Sequence, residues 1–195
     1  ADHKIPMIYI ASPMLGASAP VTLAGCIAQA TAESLSGLVI HQLRNPGAPF
    51  VFGAAATIMD MHTTIFAYGA PELQIIDIAF ADLAHYYGLP LFCIGGATDS
   101  KVLDAQAGAE MGASLLVSAW NGCNLIHDVG YLESGLCSSI ESIAMANEVI
   151  GMVKRYIAGF EISDETLALD TIDAVGHEKD FLGESHTLDN FKREV

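Results

Sequence analysis

Apolar positions along the chain fall into two alternating regimes. Short apolar runs closed by Gly, Ser, Asp or Thr are each followed by a long stretch with helical spacing of its apolar residues. The first strand is predicted at Pro6 to Ala11. After the turn Gly16-Ala17-Ser18-Ala19-Pro20 comes a helix in which Pro20 fits the first helical position, ended by Asn45-Pro46-Gly47. A second strand at Phe50 to Gly53 precedes a helix that opens at Pro71-Glu72, aligns Leu73, Ile76, Phe80 and Leu83, and stops at Gly88. The third strand, Leu91 to Ile94, runs into Gly95-Gly96-Ala97-Thr98-Asp99-Ser100 and a helix from Lys101 to Trp120. The fourth, Asn124 to His127, meets Asp128-Val129-Gly130, and a helix follows from Ser138 to Ile157.

Strands that recur with a crossover helix between them pair in parallel with right-handed connections. The fold class is therefore α/β, with four parallel strand–helix units. A closed (β/α)8 barrel needs eight such units. Two architectures remain: an open doubly wound sheet, or half of a TIM-type barrel, to which the Ala- and Gly-rich helices lend some support because small residues permit close helix–strand approach. Charge then divides the chain. Residues 1–140 carry 14 charged side chains and residues 141–195 carry 17. Residues 1–160 are expected to form the strand–helix units, and 161–195 a charged extension with surface helices at Asp164 to Val175 and Thr187 to Glu194.

Composition narrows the partners. The chain is 52% apolar and 16% charged, enough to bury a core and too apolar for disorder. Eight Lys plus Arg against 23 Asp plus Glu give a net charge of -15. No basic stripe is available for phosphates, so neither nucleic acid nor an anionic membrane surface is an expected partner. Cys26, Cys93, Cys123 and Cys137 lie far apart in apolar runs without a C-x-x-C and read as reduced core residues. The apolar stretch Val21 to Leu43 is broken by Gln29, Glu33, His41 and Gln42, as in a half-buried soluble helix. The opening Ala1-Asp2-His3-Lys4 leads directly into a strand-like run rather than a secretory segment, and a cytoplasmic setting is the expectation.

In parallel sheets the chemistry sits where strands end and helices begin. Four segments follow from that rule: Ser12 to Ser18, Gly53 to Thr63, Gly95 to Lys101 and His127 to Gly135. The Gly95-Gly96 loop with Thr98, Asp99 and Lys101 could cradle an anion on backbone N–H groups, although it matches neither a Rossmann nor a Walker spacing, and Asp99 or Ser100 could simply cap the next helix. His127-Asp128 with Tyr131 and Glu133 is the densest titratable set, suited to acid–base work or hydrogen-bond donation. Adjacent strand residues point to opposite faces, so only one of His127 and Asp128 is expected to face a barrel interior. Met59-Asp60-Met61-His62 offers an acid, an imidazole and soft thioethers, but too few ligands for a metal, and none is expected.

Taken together, Gly16-Ala17-Ser18-Ala19-Pro20-Val21-Thr22-Leu23-Ala24-Gly25, Asn45-Pro46-Gly47-Ala48-Pro49 and the run Asn124 to Gly135 resemble the C-terminal part of the trimethylamine methyltransferase family. The resemblance implies the C-terminal half of a (β/α)8 barrel and methyl transfer from an amine to a corrinoid protein. Pyrrolysine marks the trimethylamine-specific members. This chain holds only the twenty standard residues, which directs the expectation to a quaternary or tertiary amine resembling glycine betaine. The corrinoid would be supplied by the partner and not bound tightly here, and an incomplete barrel would form a homo-oligomer.

A methylated ammonium loses its charge as the methyl leaves, so aromatic faces suit it better than a carboxylate in contact. The catalytic candidates are His127, Asp128, Tyr131 and Glu133. The substrate-binding candidates are Phe52, Phe92, Gly95, Gly96, Thr98, Asp99, Lys101, Asp60 and His62, with Trp120 assigned to packing. Two alternatives stand beside this reading: an unrelated barrel lyase using His127 and Glu133 as acid and base, and a non-catalytic assembly module.

Overall fold

The computed structural model describes residues 1–194. It divides into two compact units, Ala1–Ile157 and a second beginning at Ala158. In the first, β1 (Met7–Ile8) and β2 (Met14–Leu15) precede α1 (Leu23–Arg44), followed by β3 (Phe50–Gly53), β4 (Thr57–Ile58), α2 (Pro71–Tyr87), β5 (Leu91–Ile94) and α3 (Ala105–Trp120). Next come β6 (Leu125–His127), the short antiparallel pair β7 (Tyr131–Leu132) and β8 (Cys137–Ser138), and α4 (Ile140–Ala158). The second unit contains α5 (Asp164–Leu167), α6 (Leu169–Val175) and α7 (Ser185–Glu194).

The main sheet is parallel, in the order β1-β3-β5-β6. Its register decides the architecture. Ile8 pairs with Val51, Gly53 with Phe92, Phe92 with Leu125 and Ile94 with His127, so these residues share one face. Met7, Phe50, Phe52, Leu91, Cys93 and Ile126 occupy the other. Helical residues pack on that second face: Cys26 and Ala30 of α1 and Ile76 and Phe80 of α2 join Phe50, Phe52 and Leu91, while Leu115 of α3 and Ala146 and Val153 of α4 meet Ile126. A doubly wound sheet would carry helices on both faces. Sequential strand order with helices on one face is consistent with half of a (β/α)8 barrel.

Buried serines fasten the helices to the strand ends. Ser34 of α1 donates to Gly53 O at 2.7 Å, Ser118 of α3 to Ile94 O at 2.8 Å, and Ser142 of α4 to Gly130 O at 2.8 Å. Each hydroxyl satisfies a carbonyl at or beyond the point where the ladder stops.

Several boundaries differ from expectation. α1 begins at Leu23 with Thr22 as its cap residue, because Val21 and Thr22 first form a bend, and Pro20 lies outside the helix. α3 is capped by Asp104, whose carboxylate accepts the Ala107 N–H, rather than by Asp99 or Ser100, which belong to the preceding loop. The first strand shrinks to Met7–Ile8 with an isolated bridge from Ala11 to Ala54. Trp120 is 67% exposed at the end of α3 and is not core packing. The expectation of four reduced core cysteines is also corrected. Cys93 and Cys123 form a disulfide across neighbouring segments of the sheet, and Cys137 is exposed, leaving Cys26 as the buried free thiol. By length and composition α1 could cross a membrane; in this fold its Cys26, Ala30, Ser34, Gly37 and His41 are buried.

Phe52 is fully buried on the helix-covered face against the rings of Phe80 and Tyr87. It is therefore a core residue, not a substrate contact, which corrects its assignment from sequence. Phe52→Ala is expected to cost about 3–5 kcal/mol in denaturant unfolding. Asp77 is buried beneath the sheet with one carboxylate oxygen unpartnered, and burial pushes its pKa well above the usual carboxylate range despite a hydrogen bond from the Ile94 backbone. A raised folded pKa means the native state holds a proton that the unfolded chain releases above about pH 4, so stability falls as pH rises through that range. Asp77→Asn is expected to raise stability at pH 7, with little gain near pH 3, as measured by unfolding across a pH series.

Candidate functional site

The helix-free face of the sheet carries the candidate site, with Phe92 two residues before the end of β5 and His127 at the end of β6. There Phe92 and His127, from adjacent strands, stack with ring centroids 3.9 Å apart and planes at 20°. Gly53 makes room for this. A Cβ at that position would come within 2.6 Å of Phe92 O and 3.1 Å of Phe92 Cβ. His127 Nδ1 lies 2.6 Å from Asp128 Oδ1, and Nε2 is buried without a protein partner. Strand alternation would have sent Asp128 to the opposite face. Instead Asp128 adopts φ 72°, a left-handed turn that brings its carboxylate back to the imidazole, so both act on one side.

Tyr68, from the segment between β4 and α2, completes the group. Its phenol lies near Asp128 and is raised above the usual tyrosine pKa, first by burial and then by the Asp128 charge. Its ring lies 4.8 Å from that of Phe66, and Gly135 and Tyr131 flank it. Sequence reading missed Tyr68 because it precedes a helix rather than following a strand of the main sheet.

Asp99 holds this arrangement in place. Its carboxylate accepts the backbone N–H groups of Tyr68 and Gly69 at 2.8 Å each and the Ser134 hydroxyl at 2.8 Å. Three segments, those after β4, β5 and β7, are thus tied to one side chain. Beside it, Glu110 of α3 accepts from the Thr98 hydroxyl and the Asp99 N–H. Gly69 must lack a side chain, since a Cβ there would strike the Glu110 carboxylate at 2.4 Å.

The expected anion cradle is not formed. Gly95 N–H donates to His127 O, Gly96 N–H to Ser114 Oγ, Thr98 N–H to Tyr131 O and Ser100 N–H to Thr98 Oγ1. Gly95, Gly96 and Thr98 are buried, and their donors are committed to the fold. They position the loop and leave no row of N–H groups for a carboxylate.

Next to the Asp99 tie is a cavity of ≈ 240 Å³ lined by Asp60, Thr63, Ile65, Phe66, Ala67, Asp99, Lys101, Glu133 and Ser134. Four sequence-selected residues, Asp60, Asp99, Lys101 and Glu133, meet here. Lys101 Nζ lies 3.6 Å from Glu133 Oε1 in an exposed pair that contributes little stability. Asp60 accepts from the Thr63 hydroxyl and the His62 N–H, and the Thr63 bond leads in lowering its pKa. His62 itself is exposed on that turn and does not line the cavity. His127 pairs with Asp128 and Glu133 with Lys101, and no hydrogen bond or ion pair among the described residues joins His127 to Glu133. Among the same residues no three His, Cys, Asp or Glu side chains converge as a metal-ligating group.

The fold, a parallel four-stranded sheet with helices on one face, is consistent with half of a (β/α)8 barrel, and the candidate residues gather on the helix-free face and in the loops beyond it. A family model described as trimethylamine methyltransferase (MTTB) matches residues 1–195, and the chain belongs to that family. It is 40% identical over 187 residues to "Trimethylamine methyltransferase MttB" of Desulfitobacterium hafniense (strain DSM 10664 / DCB-2), covering 96% of this chain and 38% of the relative. The counterpart of the same description in Methanosarcina barkeri (strain Fusaro / DSM 804) is also 40% identical, with the same coverage. "Glycine betaine methyltransferase" of Desulfitobacterium hafniense (strain Y51) is 36% identical over 195 residues, 100% of this chain and 41% of the relative. The chain thus spans about two fifths of the length of the curated relatives it matches.

Replacing Asp99 by Ala would strand the two N–H groups of the Tyr68–Gly69 segment. The expected cost is about 1–3 kcal/mol in chemical unfolding, with a matching change in Tyr68 fluorescence or aromatic NMR shifts. Asp99→Asn should recover part of the loss, since its amide oxygen still accepts.

Proposed function

We propose that this chain forms one side of the reaction chamber of an amine:corrinoid protein methyltransferase. In it a quaternary or tertiary amine of the glycine betaine kind gives its methyl to the Co(I) corrinoid of a partner protein. The cobalt is the nucleophile, a neutral amine leaves, and the nitrogen of a quaternary donor, or of a tertiary donor that is first protonated, loses its positive charge as the carbon–nitrogen bond breaks. The chain's own residues then have to align the donor and keep water away.

One observation carries this reading: the face at the C-terminal strand ends is built from aromatic rings, while its carboxylates are already engaged. Phe92, the imidazole of His127, Tyr68 and Phe66 gather there. Asp128 is taken by His127, Asp99 by backbone N–H groups and Ser134, Asp60 by its own turn, and Glu133 by Lys101. A free carboxylate against the ammonium would stabilise the bound donor more than the transition state. Aromatic faces attract the cation with about 0.5–2 kcal/mol each and give up less when the charge disappears.

His127 Nε2 is buried with no protein partner. Held through Nδ1 by Asp128, it offers one fixed polar point for the donor or the departing amine. Tyr131, which with Tyr68 lies beside Gly135, belongs with this group, and Lys101 at the rim cavity would exchange its Glu133 partner for a donor's carboxylate. β1 and β6 are the outer strands of the sheet, with Ile8 42% and Leu125 45% exposed. These apolar edges fit a working unit completed by further strands or by a second subunit. The lyase alternative loses support because His127 and Glu133 have separate partners.

The test is the protein carrying this chain, mixed with its corrinoid partner reduced to Co(I) and offered trimethylamine, glycine betaine and carnitine in turn. Conversion of the Co(I) spectrum to methyl-Co(III) with at least one donor is expected. Phe92→Ala should lower kcat/KM by roughly 10-fold, with Phe92→Tyr largely restoring it. An unchanged Co(I) spectrum across the panel would sink the proposal.

A further inference from the structure

We propose that Cys93 and Cys123 form a reversible disulfide that sets how firmly β6, and with it His127, is held against β5. Cys93 lies within β5 on the helix-covered face, 1% exposed, and is registered opposite Ile126. Cys123 sits two residues before β6, and the bond between the two closes a loop of sequence separation 30 that contains all of α3. The strand it secures has a neighbouring strand on one side. β6 has three residues, lies at the edge of the sheet, and pairs only with β5 among the described residues. At its start the hold consists of Asn124 N–H to Leu91 O at 3.1 Å and Leu91 N–H to Asn124 Oδ1 at 2.8 Å. Opening the disulfide leaves these bonds, the short β5–β6 ladder, the Gly95 N–H bond to His127 O at 3.0 Å and the packing of Ile126 as the restraints on the strand that presents His127 to Phe92.

The bond is reachable from one side. Cys123 is half-buried and lines a mostly apolar cavity of ≈ 240 Å³ between α3, β6 and α4, where Leu115, Ala119, Ile150 and Val153 form the walls and Lys154 also lines the opening. An incoming thiolate would meet the Cys123 sulfur there, beside a lysine that favours the anion. The thiolate of a dithiol reductant bonds to Cys123 Sγ, and the Cys93 sulfur leaves with the electron pair. Burial then favours protonation of Cys93. The reductant's second thiol displaces Cys123 as a thiol, so two thiols of the reductant become one disulfide and this chain gains two. The other two cysteines stand outside the exchange: Cys26 is buried in α1 with its thiol pushed up by burial, and Cys137 lies exposed on β8.

This inference does not depend on methyl transfer, and its readouts are separate from activity. The folded chain is incubated with or without dithiothreitol, then unfolded and alkylated for mass spectrometry. Without reductant, Cys26 and Cys137 should be labelled while Cys93 and Cys123 are not; after reduction of the folded protein all four should be. Hydrogen exchange should then show the Leu125–His127 amides exchanging at least ~10-fold faster in the reduced protein, while the α2 amides hold their rates. The Cys93→Ser/Cys123→Ser double variant should match the reduced protein and ignore the reductant. Labelling of Cys93 and Cys123 without reductant, reduction only after unfolding, or identical β6 exchange in the two states would each overturn the proposal.

Discussion

The chain's site rests on what becomes of backbone groups where a parallel ladder stops. Past the last paired residue, carbonyls and amides lose their in-sheet partners, and leaving them buried and unbonded costs about as much as a lost hydrogen bond. Here the remedy is mostly hydroxyl groups from the covering helices. Ser34, Ser118 and Ser142 donate to carbonyls at the rim, and Ser114 accepts the Gly96 N–H. The same bonds that satisfy the backbone fix the depth at which each loop leaves the sheet. Helix packing, rim geometry and the positions of Phe92 and His127 are therefore one problem with one solution.

Asp99 extends this logic from the sheet into the loops. Without its carboxylate, the segment carrying Tyr68 and the turn at Ser134 would have no common anchor. The turn is itself strained. Glu133 and Ser134 both adopt positive φ, at 49° and 54°, a conformation that L-residues enter at some cost. Their N–H groups donate to Ser100 O and Thr98 O, and the Ser134 hydroxyl donates to Asp99, which together hold that conformation. Rigidity in this region comes from tertiary bonds that overrule local preference.

That balance explains what the amino-acid pattern revealed. Strands at Phe50–Gly53 and Leu91–Ile94, the Pro71 start of α2 and its end at Gly88 were legible because apolar runs, proline and a left-handed glycine encode them locally. So was the position of His127 at the end of a strand. The facing of Phe52 was not, because a four-residue strand buried throughout has no polar alternation to show which side is which. Asp128 defeated the alternation rule through one dihedral angle. Tyr68 and the role of Asp99 depend on contacts 30 or 31 residues apart, which no local pattern records. The Cys93–Cys123 bond is hidden for the same reason, since two cysteines in separate apolar runs look alike whether or not register brings them together.

The open flanks of the sheet have a consequence for electrostatics. With β1 and β6 unpaired on their outer sides among the described residues and Ile8 and Leu125 partly exposed, bulk water can approach the face that carries Phe92 and His127. At solvent permittivity, attraction between a ring quadrupole and a methylated cation shrinks toward the lower end of its range, and the imidazole–carboxylate pair is screened as well. A strand or subunit laid over those flanks would therefore do more than add contacts: by lowering the local permittivity it would set the strength of the interactions that Phe92, Tyr68 and His127 can exert.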